Sequence, residues 1–212
     1  MAIKEDDVFV ELDMEELLTK GGQIDALFYL RDLKERKLFL NSEIDLCSIE
    51  GIVGHILRFN AEDKGKPYDE RMPVKLYITS NGGDVDAGFE LIDVILQSQT
   101  PVYTINLGYQ YSMGFLIGLA GHKRFAAQNS KFLMHDGSQF IYNSGAKAQD
   151  QMEFQKKVEE RVMRYVLSRT DITPEMYEDH ERVEWYMFAD EAKELGVTNF
   201  IIGEDCDIDE VI

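Results

Sequence analysis

An α/β fold with a largely parallel sheet is what this sequence predicts, on three observations. From Val74 onward, short runs rich in branched and aromatic residues alternate with stretches of helical periodicity, the pattern of crossover units. The chain has 212 residues, 44% of them apolar, enough to bury one substantial core. No internal repeat or low-complexity run divides it, so one domain is expected.

Residues 1–25 are acidic with interspersed apolar positions, and Gly21-Gly22 breaks that pattern, which reads as a short arm ahead of the domain. A charged helical stretch around Leu30 to Arg36, a strand Lys37 to Leu40 and a helix near Ser48 to Phe59 follow. The charged run 60–73, with Gly65, Pro67 and Pro73, is a solvated loop. Val74 to Thr79 is a strand ending in SNGG, and Val85, Phe89, Ile92 and Leu96, spaced four, three and four, make one face of the next helix. Pro101 stops that helix, and Val102 to Ile105 is the next strand. The segment YSMGFLIGLAG is apolar almost all round and punctuated by Gly114, Gly118 and Gly121, as in a short helix buried against close neighbours. A strand pair around Phe125 and Phe132 to Met134 leads to a long amphipathic helix carrying Phe154, Val158, Val162 and Tyr165. Its exposed side offers Glu153 with Lys157 and Glu160 with Arg164 as i,i+4 pairs. Thr173-Pro174 combines an N-cap residue with proline at the first helical position, and Gly196 marks the end of a final short helix. Val197 to Ile202 closes the fold as a strand, with an acidic tail over 204–212.

Charge narrows the function classes. Lys plus Arg number 22 against 40 Asp plus Glu, a net charge of −18, so a phosphate backbone is repelled and no nucleic-acid partner is expected. No run approaches the ~18 apolar residues of a membrane span, and the start lacks the basic-then-apolar order of a secretory signal, so a soluble cytoplasmic protein is expected. Cys47 and Cys206 lie far apart with no C-x-x-C spacing, which suggests neither a disulfide framework nor a metal site.

Three features could carry chemistry. Ser112 falls where a strand turns into the buried helix that Met113 opens, and a helix start offers unpaired backbone N–H groups. Such donors aimed at a developing oxyanion serve acyl transfer, and the Gly82-Gly83 turn could supply another with no side chain in the way. Taken singly, Ser112 also reads as an N-cap and Gly82-Gly83 as a tight turn. His135 follows the strand Lys131 to Met134, at the strand end where α/β sheets commonly place functional groups; His55, His122 and His180 read as structural or solvated. An acid is needed to fix the imidazole tautomer. Asp136 is poorly placed if the strand continues that far, because adjacent strand side chains point to opposite faces. Glu184, at the start of EWYMF, is the better candidate, with Asp179 behind it.

These residues resemble the ClpP family, the proteolytic subunit of the ATP-dependent Clp protease, over roughly Leu33 to Gly203. LKERKLFL is similar to the family's opening strand, LYITSNGG to LYINSPGG, GYQYSMG to GQAASMG, FLMHDG to a VMIHQP-like segment, and DEAKELGV to the closing helix and turn. The resemblance implies a ClpP/crotonase-like fold of repeated β-β-α units with a protruding strand-helix handle, the peptidase domain occupying 26–203. It implies a serine endopeptidase with Ser112 as nucleophile, His135 as base, and the N–H groups of Gly83 and Met113 as the oxyanion hole. It further implies stacked heptameric rings, a tetradecamer enclosing the chamber where unfolded polypeptides are cut, an AAA+ unfoldase as partner, and no cofactor or metal in the peptidase subunit itself.

The departures are local. ERVEWYMFA stands where the family carries a segment like ERDRFLSA; counting back from DEA puts Glu184 at the acid, while counting forward from DHER puts Val183 there. Trp185 replaces the basic residue used between rings, DGSQFIYNSGAKA replaces the glycine-rich segment after the histidine, and Tyr111 replaces a small residue, either narrowing the cleft or packing inward. Tyr77 keeps one aromatic of the region that docks the unfoldase. Two other readings follow: a catalytically silent ring subunit, and an acyl-thioester enzyme of the related crotonase type in which Ser112 and His135 have no required role.

Overall fold

A computed structural model describes residues 24–137, 144–180 and 182–212. Most of the expected arm, and positions 138–143 of the segment that replaces the glycine-rich stretch, lie outside the described residues.

Contacts divide the chain into two compact units, Met1–Lys37 and Leu38–Ile212. In the described part of the first, α1 (Ile24–Lys34) begins several residues earlier than its charge pattern indicates. Glu35 pairs with Lys37 and with Arg31 Nε, the latter at 3.3 Å, and these bonds, Lys37's the stronger, hold its exposed carboxyl below its ordinary range.

The second unit has a mixed α/β architecture. In chain order its elements are β1 (Lys37–Leu40, mostly within this unit), α2 (Leu46–Glu62), β2 (Val74–Ile78), α3 (Val85–Gln97), β3 (Val102–Asn106), β4 (Tyr109–Tyr111), α4 (Met113–Leu119), β5 (Lys123–Ala127) and β6 (Lys131–Met134). Then come α5 (Gly145–Arg169), α6 (Pro174–His180), β7 (Trp185–Phe188), α7 (Ala189–Glu194) and β8 (Phe200–Ile202). A five-stranded sheet runs β1-β2-β3-β5-β8, and a smaller one runs β4-β6-β7. The pairs β2–β3, β3–β5, β5–β8 and β4–β6 are parallel, and β6–β7 is antiparallel.

The helix ends follow local chemistry. Asp45 and Ser48 form a reciprocal capping box at α2, Ser48 N–H donating to Asp45 Oδ1 at 2.7 Å, and the buried stripe Ile49, Ile52, Ile56, Phe59 follows at helical spacing. At α6, Met176 N–H donates to Thr173 Oγ1 at 3.2 Å, so the Thr-Pro start behaves as its sequence indicates. Gly196 takes φ +66° just past α7.

Four expectations need correction. The strands at Phe125 and Phe132 do not pair: β5 joins the large sheet and β6 the small one, because the turn between them swings the chain from one sheet to the other. The buried face of α3 is Ala87, Gly88, Leu91, Ile92 and Ile95, whereas Val85 and Leu96 are exposed. Small Ala87 and Gly88 let α3 approach the Met113 side chain, and a Cβ on Gly88 would lie 2.1 Å from Met113 Sδ. That closeness turns the Ala87–Gly88 side of the helix inward together with Leu91, Ile92 and Ile95, and leaves Val85 and Leu96 outside. The closing strand is only Phe200–Ile202, because Val197 and Thr198 N–H groups turn back onto the Ala192 carbonyl. On α5, Arg164 Nε donates to the Glu160 backbone carbonyl at 3.2 Å instead of pairing with its carboxylate.

Register places Tyr77, Ile105, Phe125 and Phe200 in one row across the large sheet. Val211, 1% exposed, packs on that row, and the Tyr77 hydroxyl donates to its carbonyl, so the acidic tail carries an apolar anchor.

His122 behaves as a structural residue. Its Nδ1 lies 3.1 Å from Val102 N and 3.3 Å from the Val102 carbonyl oxygen, so it accepts from the N–H when unprotonated and donates to the carbonyl when protonated. Burial, reinforced by the Arg169 charge, lowers its pKa against the raising effect of its backbone bonds. The unfolded chain therefore binds the proton first, so this contribution to stability is complete above about pH 6.5 and fades as the pH falls below it. His122→Asn, which keeps an acceptor without titrating, should lose less stability than wild type between about pH 7.5 and 5.5 in urea titrations; equal losses contradict the assignment.

Candidate active site

The path of the chain into Ser112 is set by β4. Tyr109 and Tyr111 make its bonds to the end of β2, and Ser112 N–H donates to the Leu133 carbonyl of β6 at 2.9 Å, the last strand-like bond before the chain reverses into α4. Reversal within one residue places Ser112 at φ 53°, ψ −121°. A serine held there costs on the order of 1–3 kcal/mol, and the fully buried α4 on one side with the β4 ladder on the other hold it in place. The Ser112 side chain makes no capping hydrogen bond, so the N-cap reading does not describe its hydroxyl.

Far along the chain, Gly82-Gly83 is clamped to Ile44, whose N–H donates to the Gly82 carbonyl at 2.9 Å and whose carbonyl accepts from Asp84 N–H at 2.7 Å. Gly83 has φ +150°, and a Cβ there would lie 2.2 Å from the Ile44 carbonyl oxygen. At Gly82, φ +102°, a Cβ would lie 2.7 Å from Ser112 Cβ and 3.0 Å from Met113 N. The glycines thus let the turn lie directly against the Ser112 reversal. Among the described residues, neither the Gly83 nor the Met113 N–H has a protein acceptor.

Gly83 and Met113 line one cavity of about 690 Å³ together with Ser112 and His135. Phe115, Leu116 and Met134 form part of its apolar wall, and Val158, Val162 and Met163 of α5 add to it. Of the apolar stripe expected on α5, Val158, Val162 and Tyr165 are half-buried but Phe154 is 65% exposed; the role of this face as a cavity wall had no signal in the sequence, and Asn81, Tyr177 and Arg182 were likewise missed. His135 is half-buried just past β6, and no hydrogen bond joins it to Ser112 among the described residues.

The acids are distributed differently. Glu184 is exposed outside this cavity, and its Oε2 accepts from the Tyr186 hydroxyl at 2.9 Å, a bond that raises the Tyr186 pKa. Asp179 is exposed on α6 and also outside. Asp136 lines the cavity beside His135, because β6 stops at Met134 and strand alternation does not reach it. Tyr111 neither lines the cavity nor enters the main core; half-buried, it packs edge-on to Tyr186, ring centres 5.8 Å apart, and beside Tyr109. His180 stacks on Trp185 at 3.9 Å, and His55 on Phe59 at 6.1 Å, both in structural roles.

The C-terminus of α4 is held by arginines. Arg169 Nε donates to the Leu119 carbonyl at 2.9 Å, and Arg124 reaches the same oxygen at 3.3 Å. Burial, with the Arg169 charge beside it, pulls the Arg124 pKa down to about 10. Their guanidinium groups satisfy the end of the helix whose start carries Ser112.

Comparison with known proteins agrees with the likeness of these segments. The chain is 28% identical over 186 residues to the ATP-dependent Clp protease proteolytic subunit 2 of Treponema pallidum, covering 87% of this chain and 90% of that protein. It is 32% identical over 194 residues to proteolytic subunit 1 of Streptomyces avermitilis (89% and 85%) and 29% over 186 residues to subunit 1 of Bacillus cereus (87% and 93%). The acyl-thioester reading gains no support from these likenesses. The Clp protease family model matches residues 20–205, spanning both glycine-turn and serine segments, the histidine and the closing helix, and the chain therefore belongs to the Clp protease family.

Proposed function

We propose that the chain is a serine endopeptidase subunit that cuts unfolded polypeptides by an acyl-enzyme route. The observation that carries this reading is the single cavity lined by Ser112, His135, Gly83 and Met113, the last two with N–H groups that have no protein acceptor among the described residues. Ser112 Oγ attacks the scissile carbonyl carbon as His135 takes its proton, and the Gly83 and Met113 N–H groups bind the oxyanion. The C–N bond then breaks, His135 passes the proton to the departing amine, and water repeats the sequence on the ester. The apolar wall suits a hydrophobic side chain of the substrate.

Glu184 is the acid of this scheme. Its carboxylate must exchange the Tyr186 bond for one to His135, with its extra methylene, ~1.5 Å, absorbed by the backbone before β7. The order β3-β4-α4 followed by β5-β6-α5 supports a crotonase-like arrangement of β-β-α units, with α5 as the helix of the handle. The working form we propose is a cytoplasmic assembly of heptameric rings, probed from outside by an AAA+ unfoldase that delivers substrate.

A second reading, a silent ring subunit, is favoured by two observations: Glu184 bonds to Tyr186, and among the described residues no hydrogen bond joins Ser112 to His135. Incubation of the assembled protein with an unstructured polypeptide, with products mapped by mass spectrometry, separates the two. Cleavage abolished in Ser112→Ala supports the peptidase. No cleavage by wild type alone, with the activity of a mixed assembly unaffected by Ser112→Ala and His135→Ala, supports the silent one.

A further inference from the structure

The two oxyanion donors come from segments thirty residues apart, so their spacing depends on whatever ties those segments together. We infer that Ser80 is the positioning residue that sets it, an inference that rests on the peptidase reading above. Ser80 is 1% exposed two residues past β2, and each of its polar atoms is engaged. Its N–H donates to the Tyr109 carbonyl at 3.1 Å, and its carbonyl accepts from Tyr111 N–H at 2.9 Å, fixing it to the strand that delivers Ser112. Its hydroxyl donates to the Ser42 carbonyl at 2.6 Å and accepts from Gly82 N–H at 3.1 Å, fixing the glycine turn and the segment that leads to Ile44.

The opening turn of α4 touches the same residue. A Cβ on Gly114 would lie 3.1 Å from the Ser80 carbonyl oxygen and 3.3 Å from its Cβ. Ser80 therefore abuts the helix start that presents Met113 N–H on one side and holds the neighbour of Gly83 on the other. The backbone bonds would survive a change of side chain; the hold on Gly82 would not. Alanine at position 80 leaves the Gly82 N–H and the Ser42 carbonyl without their partner, and the turn carrying Gly83 loses its tether to the Ser112 strand.

Ser80 touches neither nucleophile proton nor substrate in this scheme, so its effect falls on the transition state through donor placement. For Ser80→Ala, kcat on a short peptide and the rate of Ser112 phosphonylation by a fluorophosphonate should both fall about 10- to 100-fold, with KM within about twofold. Val211→Ala, a buried truncation that does not line this cavity, serves as the control for general loosening and should keep wild-type kcat. Ser80→Cys, close in size but a weaker hydrogen-bonding group, should fall between wild type and alanine, and it decides the matter if the alanine variant does not fold. Wild-type kcat and phosphonylation rate in the folded variants, or an equal loss in Val211→Ala, overturns the inference. Failure of the wild type itself to label overturns the peptidase reading instead, so the two failures are distinct.

Discussion

Ser112→Ala should lower kcat for a peptide substrate by about 10⁴- to 10⁶-fold while leaving KM within about threefold. The hydroxyl is the only group on the reversal that can form the ester, and its removal subtracts one oxygen from a half-buried position without touching the backbone that holds the turn. Ser112 N–H still bonds Leu133 and its carbonyl still accepts from Leu116 N–H at 3.2 Å, so α4 keeps its start. Stability should hold or rise slightly, because alanine has no hydroxyl to desolvate. The residual rate belongs to the Gly83 and Met113 donors and to the cavity that positions substrate. Steady-state kinetics with a fluorogenic peptide reads both parameters, and a variant retaining a tenth of the wild-type kcat removes Ser112 from the chemistry.

Gly83→Ala should produce the next largest loss, in activity and stability together. The added Cβ would sit 2.2 Å from the carbonyl oxygen, 2.7 Å from the nitrogen and 2.9 Å from the carbonyl carbon of the Ile44 backbone. These are backbone atoms, so no rotamer relieves the overlap; the Ile44 clamp must open or the turn must move. Strain at φ +150° adds on the order of 1–3 kcal/mol, and overpacking a similar amount. On the proposed mechanism the donor that moves is the one aimed at the oxyanion, so kcat should fall about 10²- to 10³-fold. Peptide kinetics together with a urea titration tests both halves. A variant with native kcat would show that the Gly83 amide is not used.

The sequence made the two halves of this cavity legible for a local reason. SNGG and YSMG each describe a turn whose geometry is fixed within a few residues, by glycine at positive φ in one and a strand-to-helix reversal in the other. β2, α2 and the Thr173-Pro174 start were readable on the same grounds, since capping and periodicity are local. What eluded the sequence depends on distant partners. Whether β6 pairs with β5 or with β4 is decided by sheet assembly, and the buried face of α3 by how closely Gly88 approaches Met113. The direction of the Glu184 carboxylate follows from the Tyr186 hydroxyl two residues on, a choice that the pattern of EWYMF leaves open. Val211 could not be assigned to the core because the few apolar residues of the acidic tail, Ile208, Val211 and Ile212, are too few to set a period.

Peptide mapping by mass spectrometry after reaction with a fluorophosphonate is the most direct trial of the whole scheme, since it reports which oxygen is nucleophilic and whether an imidazole activates it. One phosphonyl group per folded chain on Ser112, with the reaction strongly slowed in His135→Ala, is the expected outcome. An adduct elsewhere, or none on an assembled and folded wild type, contradicts it.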